Sequence, residues 1–200
     1  MSDPAQALAL PEALFAALIS ATQEPLYRYV CRLVVDTEQA RDIVQDVFVE
    51  AVRAARRQAP PFVSPAGLVA EPSDTGVRRW LFQVASHRAI SFARHRHVLA
   101  WQSLDLLHPT EPHHYYEALP FEDRIAEGEA LRAALTRLTP EDAALVLLKE
   151  VEGFTIAESV TILKLEISVE AAKKRFQRAA ERLRTAYFAQ DSEGGERTHR

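Results

Sequence analysis

The chain has few of the residues that hold small disulfide-bonded or zinc-bound folds together. Its 200 residues include a single cysteine, Cys31, which excludes an intrachain disulfide and a thiolate zinc cluster. Glycine is scarce, with 6 residues, and no long run of alternating β-branched residues occurs. Hydrophobic residues still make up 48% of the chain, which is ample for a core. We therefore predict an all-α protein in which Cys31 is buried and chemically inert.

Long apolar runs and a basic N-terminal segment are also missing. No apolar run approaches the roughly 20 residues that a membrane span needs. Residues 1–20 contain no lysine or arginine, so they lack the basic start of a secretory signal. We expect a cytoplasmic protein without membrane insertion.

The sequence contains none of the common catalytic or phosphate-binding motifs. G-x-x-x-x-G-K-[ST], G-x-S-x-G and H-E-x-x-H are all absent. The histidines between positions 87 and 114 are irregularly spaced, and three of them lie in an arginine-rich segment without acidic or cysteine partners. We therefore predict no enzymatic activity, no cofactor and no metal site.

Charge is distributed unevenly along the chain. Lysine and arginine number 24 against 28 acidic residues, a net charge of -4 that does not indicate a nucleic-acid-binding protein. Residues 78–97, however, contain five arginines, three histidines and no acid, whereas the charged residues of segment 1–25 are all acidic. Distribution matters more than the sum for nucleic-acid binding, so segment 78–97 is a candidate contact surface.

Apolar spacing predicts helices separated by two proline-rich segments. One or two helices are expected over 10–35, and a strongly amphipathic one, capped by Asp36 or Thr37, extends to about Arg57. Segment 58–77 holds four prolines and two glycines and is predicted to be a loop before a helix over 78–96. We divide the chain into a first domain, a flexible linker, a second domain and a disordered tail, at 1–99, 100–122, 123–190 and 191–200.

The second domain carries three helix-start signals in close succession. Thr139 precedes Pro140, Thr155 and Glu158 form a capping-box pattern, and Ser168 can cap a last helix. This pattern predicts a helix-turn-helix. The last helix places apolar residues inward, at Ala172, Phe176, Ala179, Ala180, Leu183 and Tyr187. Its outer face presents Glu170, Lys173, Lys174, Gln177 and Arg178, of which the basic and amide side chains suit phosphates and base edges in a major groove.

Both halves together resemble the extracytoplasmic-function group of bacterial sigma factors, in regions two and four. The first half resembles it through LYRYVCRLVVDTEQARDIVQDVFVEAVR and RRWLFQVASHRAISFARHR. The second half does so through LTPEDAALVLLKEVEGFTIAESVTIL and ISVEAAKKRFQRAAERLR. The resemblance implies a factor that binds core RNA polymerase and directs promoter-specific initiation, with an anti-sigma factor as a further candidate partner.

The resemblance also assigns roles to residues of this chain. The helix at 38–57 corresponds to the polymerase-docking helix, with the family's D-x-x-Q-[DE] positions occupied by Asp42, Gln45 and Asp46. The full outer stripe implied for polymerase binding is Asp42, Gln45, Asp46, Glu50 and Arg53. The implied contacts to the −10 element are Arg78, Arg79, Gln83, His87, Arg88, Ser91, Arg94 and Arg96. The implied contacts to the −35 element are Lys173, Lys174, Gln177 and Arg178. Trp80 shares a face with Gln83 and is either a base contact or a core residue.

Three departures from the family pattern bear on DNA recognition. The family commonly has R-N and D where this chain has Ser86-His87 and Ser91. The family's loop is also shorter than the loop at 58–77 of this chain. The turn after Leu163 usually contains a glycine, but Lys164-Leu165-Glu166 occupies it here. A positive φ without glycine is strained, so either the preceding helix continues to Glu166 or the turn is re-formed.

These departures keep a second interpretation open. The chain could be a sigma-like interaction module that sequesters an anti-sigma factor without binding promoters. The net charge of -4 agrees with that reading, while the basic helices at 78–96 and 173–184 favour a promoter-binding factor.

Overall fold

Every regular element in the described part of the chain is a helix. The computed structural model describes residues 12–34, 36–57, 59–62, 75–102 and 130–194, with side chains from position 15 in the first helix, up to 95 in the third and up to 189 in the last. The helices are α1 Glu12–Val34, α2 Thr37–Arg56, α3 Thr75–Gln102, α4 Pro140–Glu150, α5 Ile156–Leu163 and α6 Val169–Gly194. Residues 130–135 form a further helical segment. The predicted all-α class is confirmed.

The first three helices pack as a group around the apolar stripe of α2. Asp36 is the N-cap of α2, and its carboxylate accepts hydrogen bonds from the backbone N–H groups of Glu38 and Gln39. The buried face of α2 consists of Ala40, Ile43, Val44, Val47, Ala51, Ala54 and Ala55. Because this stripe faces α1 and α3, the opposite side of α2 is left to solvent.

Two predicted boundaries around α3 are wrong. The helix begins at Thr75, so the predicted loop 58–77 ends earlier, and it continues to Gln102, into the segment predicted as a linker. Phe62, from the loop, is buried, and its ring lies edge-on to Trp80 with 5.2 Å between centroids. The rest of the loop, the linker and the end of the tail lie in 63–74, 103–129 and 195–200, outside the described residues.

The second group of helices consists of α4, α5 and α6, and each of these helices begins at a predicted cap. Thr139 accepts a hydrogen bond from the N–H of Asp142, and Thr155 and Glu158 form a complete capping box. Ser168 accepts from the N–H of Ala171 at the start of α6. These contacts are local, within three residues along the chain, which is why the sequence predicts them.

The turn between α5 and α6 is re-formed around a left-handed residue. Helix α5 ends at Leu163, and Lys164 adopts φ 49° and ψ 44°. Its N–H donates to the carbonyls of Thr161 and Val160, and that of Leu165 also donates to Val160. The alternative that the helix runs on to Glu166 is therefore wrong.

The two groups of helices share one hydrophobic core. Helix α3 packs on both α4 and α5, and α1 also contacts α4. At the centre, the Phe82 ring lies edge-on to Tyr29 on one side, at 5.3 Å, and to Phe154 on the other, at 5.2 Å. The side of α3 that faces the second group is therefore covered.

Candidate nucleic-acid interface and docking surface

The outer face of α2 presents a stripe of acidic and amide side chains. Asp42, Gln45 and Asp46 are exposed, as is Arg53. Glu50 is partly buried, and Arg57 donates to its carboxylate at 2.9 Å. This hydrogen bond is the main reason why the pKa of Glu50 is lowered. The stripe is negatively charged near its middle and suits a basic partner surface.

Asp46 connects this stripe to α3. Its carboxylate accepts a hydrogen bond from the Arg88 guanidinium at 2.6 Å. Two residues to which the sequence assigns different partners, polymerase and DNA, are therefore paired with each other. Both side chains are well exposed, so the pair is readily broken.

Ser86 has a structural role that the sequence did not reveal. Its hydroxyl is buried and donates to the carbonyl of Phe82 at 2.6 Å. Because a serine has one proton, the Tyr29 hydroxyl must donate to Ser86, at 2.7 Å. Burial raises the pKa of Tyr29, which therefore stays a donor. The serine thus joins α3 to α1 inside the core.

Three of the arginines assigned to DNA pair with acids of the second group of helices. Arg79 forms an ion pair with Glu158 at 3.0 Å, and the Nε of Arg94 donates to Glu141 at 2.6 Å. Arg78 donates both to the backbone carbonyl of Glu152, at 2.9 Å, and to its carboxylate, at 3.2 Å. Segment 78–97 contains no acid of its own, and the acidic partners of these arginines lie far away in sequence.

Arg78 also stacks on aromatic rings. Its guanidinium carbon lies 4.9 Å from the Phe82 ring centre and 4.3 Å from that of Phe154. Glu152 closes this cluster, and its side chain is only 6% exposed. Burial raises the pKa of Glu152, while the nearby Arg78 opposes that change. Arg78 is therefore held by charge, hydrogen bonds and ring contacts together.

The remaining polar residues of α3 are covered to different degrees. Gln83 and His87 are partly buried, and Ser91 is exposed. Burial lowers the pKa of His87, and the charge of Lys164 acts in the same direction. Trp80 is partly buried and packs against the core, which favours its structural interpretation. The side chain of Arg96 lies outside the described residues.

The outer face of α6 is open to solvent along its basic part. Lys173, Lys174, Gln177 and Arg178 are all exposed. Lys173 pairs with Glu170, three residues earlier, at 2.7 Å. The inner side of the helix is covered, with Ala172 and Ala179 fully buried. The side chains of this outer face are therefore accessible to a groove of nucleic acid.

Asp142 anchors the other basic side of α6. Its carboxylate accepts hydrogen bonds from Arg175 and Arg182, both at 2.6 Å, and its side chain is 6% exposed. The sequence shows Asp142 only as an acid in the first turn of α4, which is ordinary at a helix start. Its function as the link between α4 and α6 depends on residues 33 and 40 positions away.

In the described ranges, no group of three or more histidine, cysteine or acidic side chains is placed to hold a metal ion. None of the helices described is both long and apolar enough to cross a bilayer.

Comparison with known proteins gives consistent matches. The family model "Sigma-70 region 2" matches residues 18–66. RNA polymerase sigma factor YlaC of Bacillus subtilis (strain 168) is 22% identical over 145 residues, 72% of this chain and 76% of YlaC. ECF RNA polymerase sigma factor SigX of the same organism is 23% identical over 161 residues, 78% of this chain and 76% of SigX.

Two solved structures share the fold. The sigma factor RpoE from Bartonella quintana, in complex with the anti-sigma factor NepR, aligns with a TM-score of 0.59 and 18% identity. That alignment covers 88% of this chain and 94% of the other. CnrH, in complex with the cytosolic domain of CnrY, aligns with a TM-score of 0.62 and 19% identity over 92% of this chain and 94% of the other. The chain thus matches sigma-70 region 2 over residues 18–66 and is similar over most of its length to RNA polymerase sigma factors, one of them of the extracytoplasmic-function group.

Proposed function

We propose that the chain is a sigma factor that binds core RNA polymerase and directs promoter-specific transcription initiation through both groups of helices. The observation that carries the proposal is the outer face of α6, where four basic and amide side chains stand exposed over a buried inner face. Such a face can enter a major groove while the other helices hold its angle. A protein with this function works in the cytoplasm, where polymerase and DNA are found.

Polymerase docking is assigned to the stripe on α2. Asp42, Gln45, Asp46, Glu50 and Arg53 lie opposite the buried stripe, so they can contact a partner without disturbing the core. Opposite charges across such an interface contribute to orientation and association rate. The second group of helices would contact the polymerase flap.

Promoter contacts are divided between α3 and α6. On α3, Arg88, Arg94 and Arg96 are assigned to phosphates, and Gln83 and His87 to bases of the −10 element. Arg78, Arg79 and Ser91 complete that surface.

On α6, Gln177 is assigned to an adenine edge of the −35 element, which a bidentate contact discriminates by about 1–3 kcal/mol. Lys173, Lys174 and Arg178 would position the helix on phosphates, which carries no sequence information.

The experiment is run-off transcription with core polymerase, after promoters are identified by sequencing the DNA that the holoenzyme retains. An Asp42→Arg variant should lose polymerase binding, whereas Glu24→Arg, the same charge change on an exposed site of α1, should not. A Lys174→Glu, Gln177→Ala variant should lose discrimination between intact and scrambled upstream elements. If the wild-type protein with core polymerase yields no promoter-dependent transcript, the proposal is wrong.

A second function has one observation in its favour. The pairing of Arg78, Arg79 and Arg94 with acids of the second group leaves these arginines occupied, as expected for a module that sequesters an anti-sigma factor without binding promoters. Both solved structures named above were determined as complexes, one of them with an anti-sigma factor. The same transcription assay separates the two functions, because only a promoter-binding factor gives a specific transcript.

A further inference from the structure

The first turn of α6 carries an acidic side chain on the face that is proposed to enter the major groove. Glu170 lies one helical turn before Lys174 and two turns before Gln177, so the three side chains form one row along α6. The Glu170 side chain is 76% exposed. Ile167 and Val169 are also exposed, which leaves this end of α6 uncovered by the other described helices. Glu170 therefore contacts whatever approaches this face.

An acid in this row opposes DNA binding unless a hydrogen-bond donor compensates for it. A carboxylate is repelled by the phosphates that line both sides of the groove. Its contribution to the fold is small, because an exposed acid at a helix start and an exposed ion pair each stabilise a helix only weakly. The repulsion is offset where a base donates a hydrogen bond to the carboxylate.

Lys173 prepares Glu170 for such a contact. The Nζ of Lys173 donates to Oε1 of Glu170 at 2.7 Å, and Glu170 makes no other side-chain hydrogen bond to the described residues. The lysine reduces the net charge that the phosphates meet, and Oε2 stays available as an acceptor. Both side chains are more than half exposed, so the pair can adjust its position. Glu170 therefore offers the groove an acceptor and no donor.

The edges of the bases in the major groove differ in how they suit an acceptor. Cytosine presents the N4 amino group, which donates, and no acceptor beside it. Adenine also presents an amino group, but its N7 acceptor lies next to that donor. Guanine and thymine present carbonyl oxygens, which repel a carboxylate. An ionised glutamate in the groove is therefore matched best by cytosine.

We propose that Glu170 reads a cytosine of the upstream promoter element by accepting a hydrogen bond from its N4 amino group. This inference rests on the proposed entry of α6 into the major groove. Seven residues separate Glu170 from Gln177, to which an adenine is assigned, and they span about 10.5 Å of helix at about 1.5 Å per residue. Since successive base pairs lie about 3.4 Å apart, the cytosine is expected about three base pairs from that adenine.

The test compares base preferences of wild type and two variants. Holoenzyme formed from the full-length chain and core polymerase is mixed with duplex promoter DNA whose upstream element is randomised, and the retained DNA is sequenced. Glu170→Gln keeps the side-chain shape, but its amide donates as well as accepts, so it tolerates bases that glutamate repels. The matched control is Glu181→Gln, which removes the same charge eleven residues later on the same helix. Glu181 is 61% exposed and, like Glu170, pairs with a basic residue three positions on, Arg184.

Cytosine should be enriched over guanine and thymine at one position of the upstream element. We expect wild type to prefer it by about five- to tenfold, the lower part of the range for base contacts. Glu170→Gln should reduce that preference to about twofold or less and admit adenine at the same position, with other positions unchanged. The control should keep the wild-type preference. Loss of a negative charge raises the overall DNA affinity of both variants, so base preference is the quantity that decides.

Three results would overturn the inference, and they differ in what else they affect. If Glu170→Gln keeps the cytosine preference, or if wild type prefers other bases in the upstream element but no cytosine, the proposed role of α6 stands without this contact. A uniform loss of DNA binding by Glu170→Gln, with base preference unchanged, would make Glu170 a residue that only positions Lys173. A wild-type holoenzyme that retains DNA without any preference in the upstream element would contradict both the contact and the proposed −35 role of α6.

Discussion

Asp142 links α4 to α6, and its replacement is expected to lower the stability of the protein. Replacing Asp142 with asparagine removes one negative charge but keeps the volume of the side chain and the backbone N–H that Thr139 caps. The amide has one oxygen to offer, so it can accept from Arg175 or from Arg182 but no longer from both with full charge. The helix that carries the proposed −35 contacts is then held by one weaker bond.

The magnitude follows from the burial of the three groups. A hydrogen bond between charged groups contributes about 1.5–3 kcal/mol when it is shielded from water. The Asp142 side chain is 6% exposed and that of Arg175 is 31% exposed, so we expect their hydrogen bond to contribute a free energy in that range. Arg182 is 56% exposed and can turn into water, so its contribution is about 0–1 kcal/mol. We expect Asp142→Asn to lower the free energy of unfolding by about 2–3 kcal/mol.

Thermal unfolding followed by circular dichroism measures this loss. In a chain of 200 residues each kcal/mol shifts Tm by about 2–4 °C, so Tm should fall by about 4–12 °C. The control is Glu170→Gln, which removes the same charge from α6 but breaks a pair whose two side chains are both more than half exposed. The control should change the free energy of unfolding by about 0.5 kcal/mol at most. Equal Tm values for the two variants would show that Asp142 does not anchor α6.

Three further predictions concern other parts of the structure. In urea titrations, Ser86→Ala should lower the free energy of unfolding more than Tyr29→Phe does. Ser86→Ala leaves the buried tyrosine hydroxyl without its acceptor, at a cost of about 1–3 kcal/mol, whereas Tyr29→Phe leaves Ser86 bonded to Phe82. Equal losses in the two variants would contradict the assigned donor direction. Since burial lowers the pKa of His87, the unfolded chain binds more protons, and stability should be lost as pH falls through about 6.5 towards the lower folded pKa. His87→Gln should make that decline shallower, and parallel curves for the two proteins would refute the assignment. Lys164→Gly should raise stability by about 1 kcal/mol by relieving the left-handed backbone, whereas Lys164→Ala, which keeps the strain, should not.

The local features of this fold could be predicted from the sequence because they depend on neighbouring residues. The caps at Thr139, Thr155 and Ser168 each join groups three positions apart, and the apolar spacing of α2 and α6 defines their buried faces. Cys31 is buried, as its apolar surroundings indicate. The helix ends around α3 were less accurate, since neither end is marked by a capping residue that outweighs its neighbours.

The contacts that were missed join residues far apart in the chain. Tyr29 and Ser86 are separated by 57 positions, and Arg78 and Glu152 by 74. Helical periodicity relates residues three or four positions apart, so it assigns a residue to a face but does not identify the element that packs on that face. In the sequence, Ser86 is only a departure from the family pattern. In the structure, its hydroxyl accepts the hydrogen bond of the buried Tyr29.

The contacts between residues far apart in the chain also explain the net charge. A segment with five arginines and no acid indicates a nucleic-acid contact, and a total charge of -4 argues against one, so the two signals conflict when read along the chain. They agree once the helices are packed, because the acids that neutralise Arg78, Arg79 and Arg94 come from α4, α5 and the turn between them. Acids from elsewhere in the chain thus lie beside the basic segment, and the total charge does not report the charge of α3 alone. The net charge of -4 therefore does not decide whether α3 contacts nucleic acid, because the distribution of charge matters more than its sum.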